Sequence, residues 1–334
     1  MRVTIKKIAE IAGVSVGTAS EALNNTGRIN SKTAEKVLQV ADSLNYRPNS
    51  MAKALLSQKS STIGFVLDYY QNIRTHMGSA EMLIGAINEA GLNNYDLLTT
   101  IAPKDANIIE HGLNLFNSKK IDGILFYGVR PNNSSINKLV EKTVPYVILS
   151  GGIWDERIVT VTLDTVKAAY TLVEYLIQKG HRNIAHISGS DRTYGGIGRK
   201  NGYLGALKQH DISVEEGFIV TTSYGVEYGY HAMKALMQRK TDITAVFCGS
   251  DDLAVGACNY LKEINVAIGT DVDIVCISND KQFAAYTPKL TTIGIDFRQM
   301  GQQATYLLFE WLKNDGIQDK KIVMDYNFLK GDTA

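Results

Sequence analysis

The chain is poor in the residues that would place it in several large classes of protein. It has three cysteines, Cys248, Cys258 and Cys276, an odd number without the paired spacing of a zinc site. A disulfide-stapled secreted scaffold is excluded, and the three are expected to be small buried residues in a reducing cytoplasm. Five prolines in 334 residues leave no proline-rich linker. No stretch approaches the roughly 20 apolar residues of a membrane span. The start carries no apolar leader, because Arg2, Lys6, Lys7 and Glu10 interrupt it; no membrane partner and a cytoplasmic location are expected. Catalytic motifs are also missing. There is no G-x-x-x-x-G-K-[ST] loop, no G-x-S-x-G elbow and no H-E-x-x-H. The cluster Gly195, Gly196, Gly198 and Gly202 does not fit G-x-G-x-x-G. The six histidines are scattered, and His181 and His186, which flank a strand pattern, read as structural. No catalytic residue, metal or cofactor is expected.

What is present is concentrated at the start. Residues 4–24 read TIKKIAEIAGVSVGTASEALN. Ile5, Ile8, Ala9 and Ala12 have helical spacing, and Gly13 can turn the chain with positive φ. Ser15 is placed to cap a second helix, in which Val16, Ala19 and Leu23 can face inward and Thr18, Ser20, Glu21 and Asn24 outward. This is the pattern of a helix-turn-helix, whose second helix fits the DNA major groove; an ordinary αα-hairpin has the same local pattern. A third helical pattern runs from about Ser31, a plausible cap, to Asn45, with Val37, Leu38, Ala41 and Leu44 as its apolar stripe. Residues 1–60 hold nine basic and four acidic side chains, a charge of +5, and the remainder has 26 against 30, or −4. A basic head on a mildly acidic body suits a polyanion-binding module joined to something else. Arg47-Pro48-Asn49 breaks the helical pattern. The segment from Ser50 to Ser57 has helix-forming residues but is too short to be stable alone, so it is either a linker or a helix that orders only when packed.

From Thr62 the rhythm changes to alternating strands and helices: TIGFVLD, YDLLTTI, GILFYG, YVILSG and VTVTLD, then NIAHISG, FIVTT, TAVFCGS and DIVCIS. Alternation of this kind means parallel sheets covered on both faces. About ten strands exceed one comfortable sheet, and the restart near residue 160 indicates two similar lobes. Ligands bind beyond the carboxyl ends of such strands, so facing lobes would share a cleft.

Read together, TIKKIAEIAGVSVGTASEALN, SKTAEKVLQVADSLNYRPN, AKALL, IQKGHRNIAHISG, the Arg-x-x-Gly-Tyr at Arg199 to Tyr203, AVFCGSDDLAVGA and PKLTTIGIDFRQMGQQA resemble the LacI/GalR family, the lactose and galactose repressors, over nearly the whole chain. The resemblance implies an α/β protein: a three-helix head over 1–48, a hinge helix and linker over 49–60, and a two-lobed body over 61–334 with the fold of periplasmic sugar-binding proteins. The chain would cross between lobes more than once, lobe 1 taking about 61–161 and 291–320, lobe 2 about 162–290 and 321–334. A homodimer would bind a pseudo-palindromic double-stranded operator and repress carbohydrate-utilisation genes under a small sugar-like effector.

Residue by residue, the resemblance implies DNA contacts from Thr4, Thr18, Ser20 and Asn24, supported by Arg28, Asn30, Thr33, Tyr46 and Asn49. Val16, Gly17 and Glu21 take the base-reading positions. Arginine is common in the family at the last of these; a carboxylate accepts from cytosine N4 but cannot donate to guanine. Glu21 could instead pair with Lys7 or Arg28. Ala52, Lys53, Leu55 and Leu56 match the hinge helix, with Leu55 the minor-groove wedge. In the cleft, Arg199 would hold hydroxyls and Tyr224 stack on the ligand, with Asp68, Tyr70, Ser150, Ser250, Asp251, Asn279 and Asp280 at or beside contact positions. Asp251 could equally cap a helix. The chain departs from the family pattern where Tyr69-Tyr70-Gln71-Asn72-Ile73-Arg74 replaces an Asn-Pro-Phe motif, where Asn279 replaces an aspartate, and in a shorter loop after Asp280. These departures admit an unusual sugar, a sugar phosphate held with the help of Arg74, or a nucleobase-type effector. A solute-binding protein with a vestigial head and an α/β sugar enzyme are the rival readings.

Overall fold

The structure is a computed structural model that describes residues 3–24, 29–46, 59–69, 77–131, 134–141, 144–152, 155–214, 217–239, 242–279, 286–314, 316–318 and 320–334. The chain divides into two compact units, residues 1–60 and 61–334. The expected hinge residues Ala52, Lys53, Leu55 and Leu56 lie outside the described residues, as do Arg28 and Asn49.

The head holds α1 (Ile5–Ala12), α2 (Val16–Asn24) and α3 (Ser31–Ser43). Gly13 ends α1 in the left-handed region at φ 68°, its N–H reaching back to the carbonyls of Ala9 and Glu10. Only a residue without Cβ enters that region cheaply, so the turn between the first two helices depends on it. Ser15 Oγ accepts from the Thr18 N–H at 3.0 Å and so caps α2. Ile8, Ala9, Ala12, Ala19, Ala22, Val37 and Ala41 form the small core. Periodicity misplaced two apolar side chains. Val16 is 43% and Leu38 47% exposed, because the helices meet through alanines and leave no room for larger groups at those angles. The cap of α3 is Asn30, whose Oδ1 accepts from the Lys32 N–H at 2.9 Å, with Ser31 the first helical residue.

The body alternates as expected, through β1 (Thr62–Leu67), α4 (Met77–Leu92), β2 (Asp96–Ile101), α5 (Ile108–Asn117), β3 (Gly123–Tyr127), α6 (Ile136–Glu141), β4 (Tyr146–Leu149) and β5 (Thr160–Leu163). It continues through α7 (Thr165–Gln178), β6 (Ile184–Gly189), α8 (Tyr194–Gln209), β7 (Ile219–Thr221), α9 (Val226–Arg239), β8 (Ala245–Cys248), α10 (Asp251–Glu263) and β9 (Asp273–Asn279). The chain closes with β10 (Thr291–Ile295), α11 (Phe297–Asn314), β11 (Lys321–Met324) and β12 (Asn327–Leu329).

Two six-stranded sheets result, in the orders β11-β5-β4-β3-β1-β2 and β12-β10-β9-β8-β6-β7. Every described pairing is parallel except that of β10 with β12. The same winding therefore occurs twice, and in each sheet the direction of winding reverses beside the first strand. Strand membership moves the lobe boundaries. The first lobe runs through Leu163, since β5 lies in the first sheet. Residues 291–295, placed by sequence in lobe 1, form β10 of the second sheet, and residues 321–324, placed in lobe 2, form β11 of the first. Of the expected 291–320 return segment, helix α11 packs on the first lobe, against α4 and strands β3 to β5, and the Lys320 carbonyl accepts from the Thr160 N–H of β5 at 2.8 Å. Short strands at a crossing carry no local signal of which sheet they join, because pairing is a long-range choice.

No helix among the described residues is long and apolar enough to cross a membrane. The three cysteines are free and buried; burial pushes the Cys258 thiol up to about 12 and the other two well above the ordinary thiol range. His181 is tied to Asp273 (Nε2 to Oδ2, 2.9 Å) and to Thr244 Oγ1 (3.0 Å) at the foot of the second sheet. His186, on β6, is fully buried and stacked on Phe247 with ring centroids 4.6 Å apart. Its Nδ1 lies 2.9 Å from the Phe247 carbonyl, and burial pushes its pKa down to about 3. The folded state thus keeps this ring neutral while the unfolded chain protonates it near pH 6.5, so stability falls as pH drops from there toward 3. The slope is at most about 1.4 kcal/mol per pH unit. Urea midpoints at pH 7 and pH 5 should show this loss in the native chain and a smaller one in His186→Phe; equal losses would mean that His186 does not set the slope.

Candidate functional site

A cavity of about 600 Å³ opens beyond the carboxyl ends of the strands of both lobes. The first lobe supplies Asp68 and Tyr69 after β1 and Gly128 and Arg130 after β3, on either side of the point where the winding reverses. The second supplies Ser190 to Thr193 after β6, Thr221 at the end of β7 and Thr222 to Tyr224 after it. Strand ends at a reversal leave a crevice that no crossover helix fills, so the topology alone puts a binding site there.

Tyr224 lines the cavity, and Arg199, which does not, is bonded to it. Arg199 Nη2 donates a short hydrogen bond to the Tyr224 hydroxyl, and its Cζ stands 5.7 Å from the Tyr224 ring centroid. Arg199 Nε is buried with no hydrogen-bond partner. The ring is held by close approach. Gly189 ends β6 at φ 68°, and a Cβ there would stand 2.6 Å from Tyr224 Cε1. Burial raises the Tyr127 phenol well above its ordinary range, with Tyr224 and Asp252 adding to the rise and Arg199 opposing it.

The other expected cleft residues divide. Asp68 lines the cavity, with Oδ1 3.8 Å from Arg130 Nη2. Ser150 is left-handed at φ 57° and donates to Met300 Sδ at 3.7 Å; it does not line the cavity. Ser250, not Asp251, is the N-cap residue of α10, and its Oγ donates to the Asp252 carboxylate. Asp251 Oδ1 accepts from the Asp252 N–H at 2.8 Å, so these carboxylates serve the helix start and neither lines the cavity. Asn279 ends β9. Tyr70, Arg74 and Asp280 lie outside the described residues. Sequence reading missed Arg130, Arg192, Thr193 and Tyr228; the signal was that the first three lie just past strand ends. Among the described residues there is no cluster able to hold a metal ion.

In the head, Thr4 precedes α1 without a side-chain capping bond, leaving its hydroxyl exposed. Gly17 and Glu21 are exposed on α2, as is Val16. Lys7 pairs with Glu10 at 3.0 Å, and no described base pairs with Glu21. Thr18 Oγ1 is 2.9 Å from Ser15 Oγ, Ser20 and Thr33 are half-buried, and Tyr46 packs on the head's core.

Comparison with known proteins agrees with both parts. Residues 4–49 match the model of bacterial regulatory proteins of the lacI family, and residues 173–333 that of the periplasmic binding protein-like domain. The probable HTH-type transcriptional repressor ExuR of Bacillus subtilis (strain 168) is 32% identical, over 99% of this chain and 98% of its own length. Catabolite control protein A of Priestia megaterium is 28% identical, over 97% of this chain and 96% of its own. The lac repressor dimer bound to operator and the anti-inducer ONPF aligns with a TM-score of 0.89 at 21% identity, covering 100% of this chain and 99% of that one. A complex of the transcriptional regulator CelR with cellobiose gives 0.74 at 22%, covering 100% of both chains. The chain belongs to the LacI family of bacterial regulatory proteins, and it is a DNA-binding transcriptional repressor with a periplasmic-binding-protein-like body.

Gly189→Ala is expected to displace the Tyr224 ring and weaken the cleft's ligand about tenfold, close to 1.4 kcal/mol. Calorimetric titration reads this; an unchanged affinity would show that the glycine does not set the ring's place.

Proposed function

We propose that this repressor is controlled by a small polyhydroxy effector bound in the cleft between its lobes, and that it acts as a homodimer on a pseudo-palindromic operator of carbohydrate-utilisation genes. The observation that carries this is the Arg199–Tyr224 pair at the mouth of both sheets, a planar fork of donors beside an aromatic face, in one chain with a helix-turn-helix head. Sugars present hydroxyl edges and apolar ring faces, and this pair matches both. The relatives and solved neighbours that bind operator, anti-inducer or cellobiose support the reading by likeness.

The proposed contacts on DNA are α2 in the major groove, with Val16, Gly17 and Glu21 toward base edges and Thr4, Thr18, Ser20 and Asn24 toward phosphate. The exposure of Val16 and the lack of a described partner for Glu21 support this assignment. Glu21 would favour cytosine over guanine at its position. The hinge segment 49–60 would place Leu55 in the minor groove. The effector and the operator are then linked: whatever factor the effector applies to operator affinity, the operator applies to effector affinity.

The test is footprinting of the protein on its own genome, followed by titration of the recovered operator with and without candidate sugars. The reading predicts one protected pseudo-palindrome and a sugar that shifts operator affinity, with the same factor measured reciprocally. Operator binding that no sugar alters, with no sugar bound in the cleft, would contradict it.

A further inference from the structure

The cavity wall carries two arginines, one from each lobe, together with two aspartates, Asp68 and Asp191. Arg130 reaches it from the first lobe and Arg192 from the second, with Arg199 behind them. Arg130 Nη2 stands 3.8 Å from the Asp68 carboxylate. Arg192 is exposed in the cavity wall, and no described acidic side chain pairs with it. Helix α8 begins beside it, after Thr193, whose hydroxyl caps the helix by accepting from the Gly196 N–H at 3.1 Å. The other lining side chains named above are largely hydroxyls, from Ser190, Thr193, Thr221, Thr222 and Ser223. Asp191 also lines the cavity and, like Asp68, can accept from sugar hydroxyls.

Building on the reading that the cleft binds a polyhydroxy effector, we infer that this effector is acidic: a sugar bearing a carboxylate or a phosphate, gripped by Arg130 from one lobe and Arg192 from the other. Guanidinium matches both oxyanions with parallel N–H donors. The arrangement also supplies a switch. Arg130 and Arg192 stand on opposite lobes, and an anion held between them attracts both. The ligand therefore binds the closed arrangement better than the open one, and a difference in affinity between two states is what shifts an equilibrium.

The test is calorimetric titration of the full chain with D-glucose, D-galactose, their uronates, their 6-phosphates and D-gluconate, each at low and high salt. An acidic probe is expected to bind at least tenfold more tightly than its neutral parent, and more weakly as salt rises. Uronates or gluconate binding alone assigns the carboxylate, and 6-phosphates binding alone assigns the phosphate. Arg192→Gln, an exposed position whose loss leaves the Asp68 pair intact, should weaken the acidic probe about 30-fold. Arg192→Lys should recover part of this. A neutral sugar binding as tightly as its acidic forms, or an acidic probe unaffected by Arg192→Gln, overturns the inference and leaves the cleft reading standing. If no probe binds, the polyhydroxy reading itself falls, and the inference with it.

Discussion

The chain passes between its two sheets three times, at Asp164, at Asp296 and at Asp325-Tyr326, and these crossings hold the two lobes in one body. Each is one or two residues long. Two of them are also helix caps: Asp164 Oδ1 accepts from the Lys167 N–H at 2.9 Å, and Asp296 Oδ1 from the Gln299 N–H at 2.8 Å. A capped start fixes where the helix begins, so any relative motion of the lobes must be taken up by the dihedrals of a few residues beside the caps. Parallel crossings that short allow rotation of one lobe against the other and little else.

That constraint gives the cleft its chemistry. Because both sheets present carboxyl ends to the same space, the loops that follow β1, β3, β6 and β7 face one another, and side chains from each lobe can reach one ligand. A second link spans the lobes to one side. Tyr194, the first residue of α8, donates to Asp155 Oδ2 at 3.0 Å from the loop between β4 and β5. Arg157 donates to both oxygens of that carboxylate and, with Tyr194, holds its pKa down to about 2. The carboxylate therefore stays charged, and the link stays made, throughout the neutral range.

Much of this architecture is written locally. Most of the nine strands read from sequence are buried apolar runs between turn residues, β2 and β7 at the sheet edges being the more exposed ones, and the head's helices follow the spacing of their small apolar residues. What could not be read is what depends on distant partners. Residues 291–295 and 321–324 exchanged sheets relative to expectation, because a short strand beside a crossing carries no mark of its neighbours. Asn30 rather than Ser31 caps α3, and Ser250 holds the N-cap position of α10 without a side-chain capping bond, its hydroxyl donating to Asp252. Of the expected cleft residues, Asp68 and Tyr224 were found on the cavity wall with Arg199 bonded to the latter. Ser150, Ser250 and Asp251 are engaged elsewhere, in bonds that a strand-end position does not foretell. Arg130 and Arg192 lie just past strand ends, but that position alone does not separate a cleft arginine from a surface one until the opposite lobe is in view.

The central claim is that the lobes move as bodies about the three crossings when the cleft fills. Spin labels at Lys104, just past β2 in the first lobe, and Glu227, in the first turn of α9 in the second, report the distance across its mouth. Saturation with the effector should shorten and narrow the distance distribution measured by pulsed electron resonance. A distribution unchanged at saturation would contradict it.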